Sequence, residues 1–338
     1  MTDAIELTVP NCVPYLARRG EPDPSVLVIS ELGGGISNRV LLVEGGSQRF
    51  VLKQSLARLR VQDDWQADRS RVFREMQSLQ DAARILPAGA VPRLLWSDEA
   101  NFLFAMSAAR PEAENWKARL LEGRIEPAIA AQAGALLGLW IRNTWQNPEF
   151  ERRYGDQTAF RQLRLDPYYR TVAARRPEVA GEVEALIEES ARRRLSLVHG
   201  DWSPKNFLIA GGAVMVIDFE VVHYGDPSFD AAFCINHFLL KCFRRPGQAP
   251  ALLELARVFF TWAAGLLPPA ALDFFEPATA RHLGALMLAR VDGKSPVEYL
   301  PEAVLREAAR SAAVEMIHQR PPDLETCFAI VAGRAGRL

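Results

Sequence analysis

The segment that most constrains this 338-residue chain is Leu197-Val-His-Gly-Asp-Trp-Ser-Pro-Lys-Asn-Phe-Leu-Ile209, followed by Val214-Met-Val-Ile-Asp-Phe-Glu220. It sets His199, Gly200, Asp201 and Asn206 as H-G-D-x-x-x-x-N between two apolar runs, with Asp218 at the end of a third. Polar groups bracketed by short apolar strands are loop residues carried on a buried scaffold. Asp201 and Asn206 can project from one loop, and a turn at Gly211-Gly212 returns Asp218 beside them. Two carboxylates and an amide carbonyl are hard oxygen ligands of the kind Mg²⁺ takes, with phosphate oxygens completing the shell. A carboxylate left over can orient a hydroxyl for in-line attack on a γ-phosphate. Singly, each residue has a plainer reading: His199 as a hydrogen-bonded core histidine, Asp201 as a cap, Asn206 as a turn residue. Their joint order and spacing favours the chemical one.

The rest of the chain segregates its elements. Before about residue 109 the pattern is strand-rich: Val26–Ser30, a hairpin of Arg39–Glu44 and Arg49–Gln54 around Gly45-Gly46, then Val91–Trp96 and Asn101–Ser107. One helix interrupts it, Asp64 to Arg84, with Val72, Met76, Leu79 and Ala83 at helical spacing. From residue 110 onward helical periodicity dominates, over 129–145, 180–194, 229–243, 251–266, 279–290 and 304–317. Strands followed by helices predict an α+β, bilobal chain: a small β-rich lobe over 1–109 and a larger helical lobe over 110–338.

Composition closes off other classes. A formal charge of −1 offers no field for nucleic acid or anionic lipid. Apolar runs fall short of the roughly 20 residues that a membrane span requires. The start, Met1-Thr-Asp-Ala-Ile-Glu, has neither the basic nor the apolar part of a secretory signal. Cys12, Cys234, Cys242 and Cys327 form no C-x-x-C pair, so they read as free thiols of a reducing compartment. The expectation is a cytoplasmic protein, monomeric or homodimeric, whose partner is a small molecule.

The motif pair resembles the superfamily of aminoglycoside phosphotransferases, choline kinases and methylthioribose kinases, which shares the protein-kinase fold. The likeness extends roughly from Glu31 to Leu300. It implies that Asp201 is the catalytic aspartate and that Asn206 and Asp218 are magnesium ligands. Asp218-Phe-Glu220 stands where protein kinases have Asp-Phe-Gly, which makes Glu220 an additional candidate ligand. Asp230, in Gly225-Asp-Pro-Ser-Phe-Asp230, matches an aspartate that braces the catalytic loop, and His199 is expected to hold that loop. The small lobe has the corresponding parts. Gly34, Gly35, Ser37 and Asn38 lie in a glycine turn where backbone amides can cover phosphates. Lys53 is one of only five lysines against 35 arginines, on an apolar strand suited to a point charge at the α- and β-phosphates, with Glu75 its candidate partner. Met106 marks the segment expected to read the base.

The resemblance therefore implies ATP, with GTP open, and Mg²⁺ as cofactors of a phosphotransferase acting on a small-molecule hydroxyl. From Ala251 onward there are ten acidic and nine basic residues, which disfavours a polycationic aminoglycoside acceptor. A methylthioribose-like sugar or an amino alcohol fits better. Trp202 and Arg290 are candidate substrate contacts, although Trp116, Trp202 and Tyr224 more simply read as packing and Arg290 equally as a helix C-terminal cation. The competing class is a catalytically silent, nucleotide-binding pseudokinase with a regulatory role.

Overall fold

Alternating residues of a strand face opposite sides of its sheet, so one strand can carry a core and a site at once. The first part of the chain is built on this. The computed structural model describes residues 4–21, 23–33, 38–56 and 69–338, and the chain divides into two compact units, Met1–Pro111 and Glu112–Leu338. In the first unit five antiparallel strands, β1 (Val28–Glu31), β2 (Asn38–Gly45), β3 (Gln48–Ser55), β4 (Leu94–Asp98) and β5 (Leu103–Ser107), lie in the order β1-β2-β3-β5-β4. One face, formed by Leu41, Val43, Phe50, Leu52, Leu103 and Ala105, packs with Leu7, Cys12, Tyr15 and Leu16 into a core. The other face of β3 turns Lys53 toward helix α2 (Arg71–Ile85).

Two local features differ from the sequence expectations. Helix α1 (Val9–Arg19) was not legible because Pro14 interrupts its pattern, yet a reciprocal Thr8–Asn11 capping box starts it and Gly20 ends it in a left-handed conformation. Helix α2 begins at Arg71 rather than Asp64; a turn at 69–70 precedes it, and 57–68 lie outside the described residues.

The second unit is mainly helical. The Pro127–Thr144, Ala180–Ala191, Ser228–Arg244, Ala249–Ala264 and Ala303–Gln319 helices occupy the segments the periodicity marks. The Pro269–Asp292 helix starts earlier than expected and runs through Pro277. A π-helix, Arg161–Arg170, and a final helix, Leu324–Ala335, have no counterpart in the sequence reading. The 127–144 and 249–264 helices meet closely at Gly134, where a Cβ would stand 2.1 Å from the Phe259 carbonyl oxygen. Any side chain there would push the helices apart. The 228–244 helix is buried along nearly its whole length and is the post on which the site is mounted. Two small sheets carry the chemistry-bearing loops: Ser196–Val198 with His223–Gly225, and Glu114–Asn115, Phe207–Ala210 and Ala213–Val216 in that order. All four cysteines are free and buried. Among the described residues no helix is long and apolar enough to cross a membrane.

Candidate active site

The strand Ser196–Val198 delivers the chain into the His199–Asn206 loop, and the 228–244 helix fixes its start. Asp230, wholly buried, accepts hydrogen bonds from the backbone N–H of His199 (2.6 Å) and of Gly200 (2.9 Å). Gly200 has φ +77°, and a Cβ there would stand 2.9 Å from Val221 Cγ1, so glycine is required on both counts. His199 Nδ1 accepts from the Asp201 backbone N–H at 3.2 Å. Its ring stands edge-on to Trp202 and Phe219. Burial pushes His199 down to about 4 against the opposing pull of Asp201 and Asp218, so it stays neutral and supports the loop without moving protons.

Asp201 is 2 % exposed. Its Oδ2 lies 2.9 Å from Arg164 Nη2 and 2.8 Å from Lys205 Nζ, and Oδ1 accepts from the Ser203 hydroxyl at 3.3 Å. Burial acts to raise this carboxyl, but the Lys205 ammonium and the Arg164 guanidinium outweigh it and hold Asp201 far below the usual carboxylate range. Arg164 comes from the π-helix and also donates to the Gly200 carbonyl at 2.6 Å, tying that helix to the loop backbone. Burial opposes its charge; Asp201, Glu220 and Asp218 restore it, so all three carboxylates lie within electrostatic reach of one guanidinium.

Asn206 closes the loop. Its Nδ2 donates to the Asp201 carbonyl at 2.9 Å, which turns the amide oxygen away from the loop backbone. Its own carbonyl accepts from the Ile217 N–H at 3.0 Å. The hairpin pairs Phe207 with Val216 and Ala210 with Ala213 through the Gly211-Gly212 turn, which brings Asp218 back beside Asn206. Asp218 has φ +72°, a left-handed conformation uncommon outside glycine. Phe219 is buried against Trp140 and His199 and pins the Asp-Phe-Glu segment, leaving Asp218 and Glu220 half-buried on either side. Among the described residues no group of three or more His, Cys, Asp or Glu side chains is placed to hold a metal ion. Asn206, Asp218 and Glu220 stand at the two ends of this one hairpin, and an amide with two carboxylates is an oxygen donor set of the open kind that leaves coordination positions to a ligand's oxygens.

In the first unit Lys53 Nζ lies 2.5 Å from Glu75 Oε1, both side chains nearly buried. This is no solvated surface pair. Replacing one member removes a close buried charge partner of the other, so Glu75→Gln is expected to cost roughly 3 kcal/mol of that unit's stability. The Lys53→Met/Glu75→Leu double variant should regain most of it while turnover stays lost. Denaturant unfolding and kinetics on the three proteins check this, and a double variant with wild-type turnover removes Lys53 from the machinery. Asn38 begins β2 opposite Ser55 and is buried. Gly34, Gly35 and Ser37 lie outside the described residues. Met106 sits inside β5 between Val51 and Leu94, so its backbone belongs to the sheet ladder.

Trp202 requires a correction as a substrate contact. It is 0 % exposed, packed on Phe207 and His199, and offers no face to a ligand. Trp116 and Tyr224 are equally buried. Arg290 is half-buried in the last turn of its helix and donates through Nη1 to the Tyr168 hydroxyl (3.2 Å) and the Ser295 hydroxyl (2.9 Å). Arg164 and Lys205 were missed from sequence. Lys205 carried a signal, the same rarity of lysine that singles out Lys53. Arg164 carried none, because it reaches Asp201 across 37 residues from a helix without amphipathic pattern.

A strand-borne Lys–Glu pair and a braced H-G-D-x-x-x-x-N loop followed by Asp-Phe-Glu define a kinase-like phosphotransferase. The chain belongs to the phosphotransferase enzyme family (APH), matched over residues 28–241. It is 26% identical to methylthioribose kinase of Escherichia coli O45:K1 (strain S88 / ExPEC), across 73% of this chain and 68% of that one. Its fold is similar to a choline kinase of Cryptosporidium parvum, with TM-score 0.52 and 12% identity over 96% of this chain and 98% of the other. It is likewise similar to a macrolide 2'-phosphotransferase of Brachybacterium faecium, with TM-score 0.51 and 19% identity over 89% and 97%. The protein is a small-molecule kinase by family. The pseudokinase alternative has no support: the matched family is one of phosphotransferase enzymes, and the curated relative is a kinase.

Proposed function

We propose that the protein acts in the cytoplasm as an ATP-dependent kinase of a small-molecule hydroxyl. The observation that carries this reading is the state of Asp201: buried, yet kept ionised by Arg164 and Lys205 on a loop clamped by Asp230. A carboxylate so held stays ionised and fixed, able to orient the hydroxyl of an incoming alcohol and to take its proton only as the new O–P bond forms and acidifies it. In the transfer the acceptor oxygen bonds to the γ-phosphorus, the bond from that phosphorus to the β–γ bridging oxygen breaks, ADP leaves, and the hydroxyl proton passes to Asp201. Lys205 and Arg164 hold the base through its Oδ2 and are proposed also to offset negative charge on the transferring group. Lys53, held by Glu75, is proposed to bind the α- and β-phosphates. Asn206, Asp218 and Glu220 would hold Mg²⁺, which supplies Lewis-acid neutralisation of the phosphate oxygens when bound.

The methylthioribose kinase relative favours a thiosugar or similar polyol as acceptor. Mg²⁺-dependent ADP formation should rise with one member of a panel of thiosugars, amino alcohols, aminoglycosides, hydroxy acids and polyol phosphates, and a parallel GTP series identifies the donor. A full panel with no acceptor stimulation from either nucleotide rejects the reading.

A further inference from the structure

Beside Asp201 the helical unit gathers positive charge that its own carboxylates do not neutralise. The path is continuous. Arg164, bound to Asp201, lies 5.8 Å from the centre of the Tyr168 ring and 5.7 Å from that of Phe233. Tyr168 and Phe233 stack in parallel at 5.9 Å, and Phe233 meets the His237 ring edge-on at 5.4 Å. His237 Nδ1 is 3.4 Å from the Tyr299 hydroxyl. At one end of this aromatic wall Arg290 hydrogen-bonds the Tyr168 hydroxyl; at the other, Lys241 Nζ sits 4.8 Å from the Tyr299 ring centre.

The cations then sort into two groups. Arg164 and Lys205 are paired with Asp201, and Lys117 with Glu298. Arg290 and Lys241 have no carboxylate within ion-pair distance among the described residues. Arg290 spends its donors on Tyr168 and Ser295, and its Nε is buried without a partner. Lys241 is 1 % exposed and donates to a single backbone oxygen, that of His237. Burial pushes it down to about 7, helped by Lys117 and Arg290 and resisted by Cys234 and Glu298. His237 feels Arg290, Lys241, Asp201 and Lys205 together, so the cluster adjoins the catalytic loop. A buried amine without a counter-ion holds its proton poorly, and an arriving anion stabilises the protonated form by supplying that counter-ion. Four of the chain's five lysines (Lys53, Lys117, Lys205 and Lys241) stand in this cluster or in the proposed phosphoryl-transfer machinery, which argues against accidental placement.

We infer that the acceptor is a hydroxyl compound bearing an anionic group, a carboxylate or a phosphate, recognised by Arg290 and Lys241, which the buried Tyr168, Phe233, His237 and Tyr299 side chains hold in place. This rests on the phosphotransferase reading but concerns only the charge of the acceptor. It separates the protein from kinases of polycationic or quaternary-ammonium acceptors, for which two uncompensated cations are repulsive.

A matched three-carbon set tests it: glycerol, glycerate, glycerol 3-phosphate and 3-amino-1,2-propanediol, titrated into the full-length protein by calorimetry. At least one anion should bind about tenfold or more tighter than glycerol, and the amine more weakly. Which anion wins identifies the charged group. Arg290→Gln and the near-isosteric Lys241→Met should each reduce that preference about tenfold, with folding monitored by thermal unfolding. Neither anion exceeding glycerol, or a preference that survives both substitutions, overturns the inference. If the anion preference appears as described and yet no acceptor ever stimulates ADP formation, the charge assignment stands and phosphotransfer falls.

Discussion

Asp201→Asn should leave a folded protein that binds nucleotide as the wild type does and turns over about 10³-fold more slowly. The asparagine preserves shape and still offers an oxygen to Arg164, so positioning survives. It cannot accept the alcohol's proton, and it leaves Arg164 and Lys205 without their shared counter-ion. That loss costs stability as well. The full penalty of breaking a buried pair is about 3–5 kcal/mol. Here it is smaller, because the Lys205 side chain is half exposed and Arg164 keeps the Gly200 and Leu163 carbonyls. The pH dependence has a definite sign. Asp201 is depressed in the folded state, so its stabilisation is complete above the ordinary carboxylate range and disappears as pH falls through the folded value. The gap in melting temperature between wild type and variant should therefore be constant from neutrality down to about pH 5 and narrow only in stronger acid. By the same token, any acid limb in kcat/KM above about pH 4 belongs to another group. Turnover of the variant at the wild-type rate would mean that Asp201 is not the base.

The residues that were legible are those whose spacing is short. His199, Gly200, Asp201 and Asn206 share one loop, and Asp218 returns through a single hairpin, so local rules of strand, turn and strand suffice to bring them together. The helices were legible for the same reason: a 3.6-residue period is a local property, and it placed the 127–144, 228–244 and 303–319 helices to within a few residues. Long-range pairing left no such trace. Arg164 meets Asp201 because of which elements lie against the 228–244 post, and nothing in the π-helix pattern announces a partner for Asp201. Proline misled twice in the same way, hiding α1 at Pro14 and concealing the first turns of the helix through Pro277. Trp202 shows the limit of residue-type reasoning: an aromatic directly after the H-G-D aspartate suggests a stacking platform, but the hairpin folds Phe207 over it and the loop needs that volume filled.

Asp218→Asn should abolish the part of ATP affinity that depends on Mg²⁺ and lower turnover by about 10³-fold, since a metal supplies several kcal/mol of charge stabilisation to phosphoryl transfer. Asparagine is the informative replacement because φ at this position is +72°. Asn adopts the left-handed region nearly as readily as Asp, whereas alanine would add about 1–2 kcal/mol of backbone strain to the lost charge. The comparison that matters is calorimetric: ATP titrated with and without Mg²⁺ into wild type, Asp218→Asn and Glu220→Gln. Wild type should gain affinity from the metal and the Asp218 variant should not. Glu220 stands two residues on, beyond the Phe219 anchor, and its loss should weaken the metal effect without removing it. Asn206 contributes only its amide oxygen and is already oriented by its bond to the Asp201 carbonyl, so it cannot replace the missing charge. An Asp218→Asn protein whose ATP affinity still climbs with Mg²⁺ as in wild type would move the metal to other ligands, and with it the reason for the left-handed backbone at residue 218.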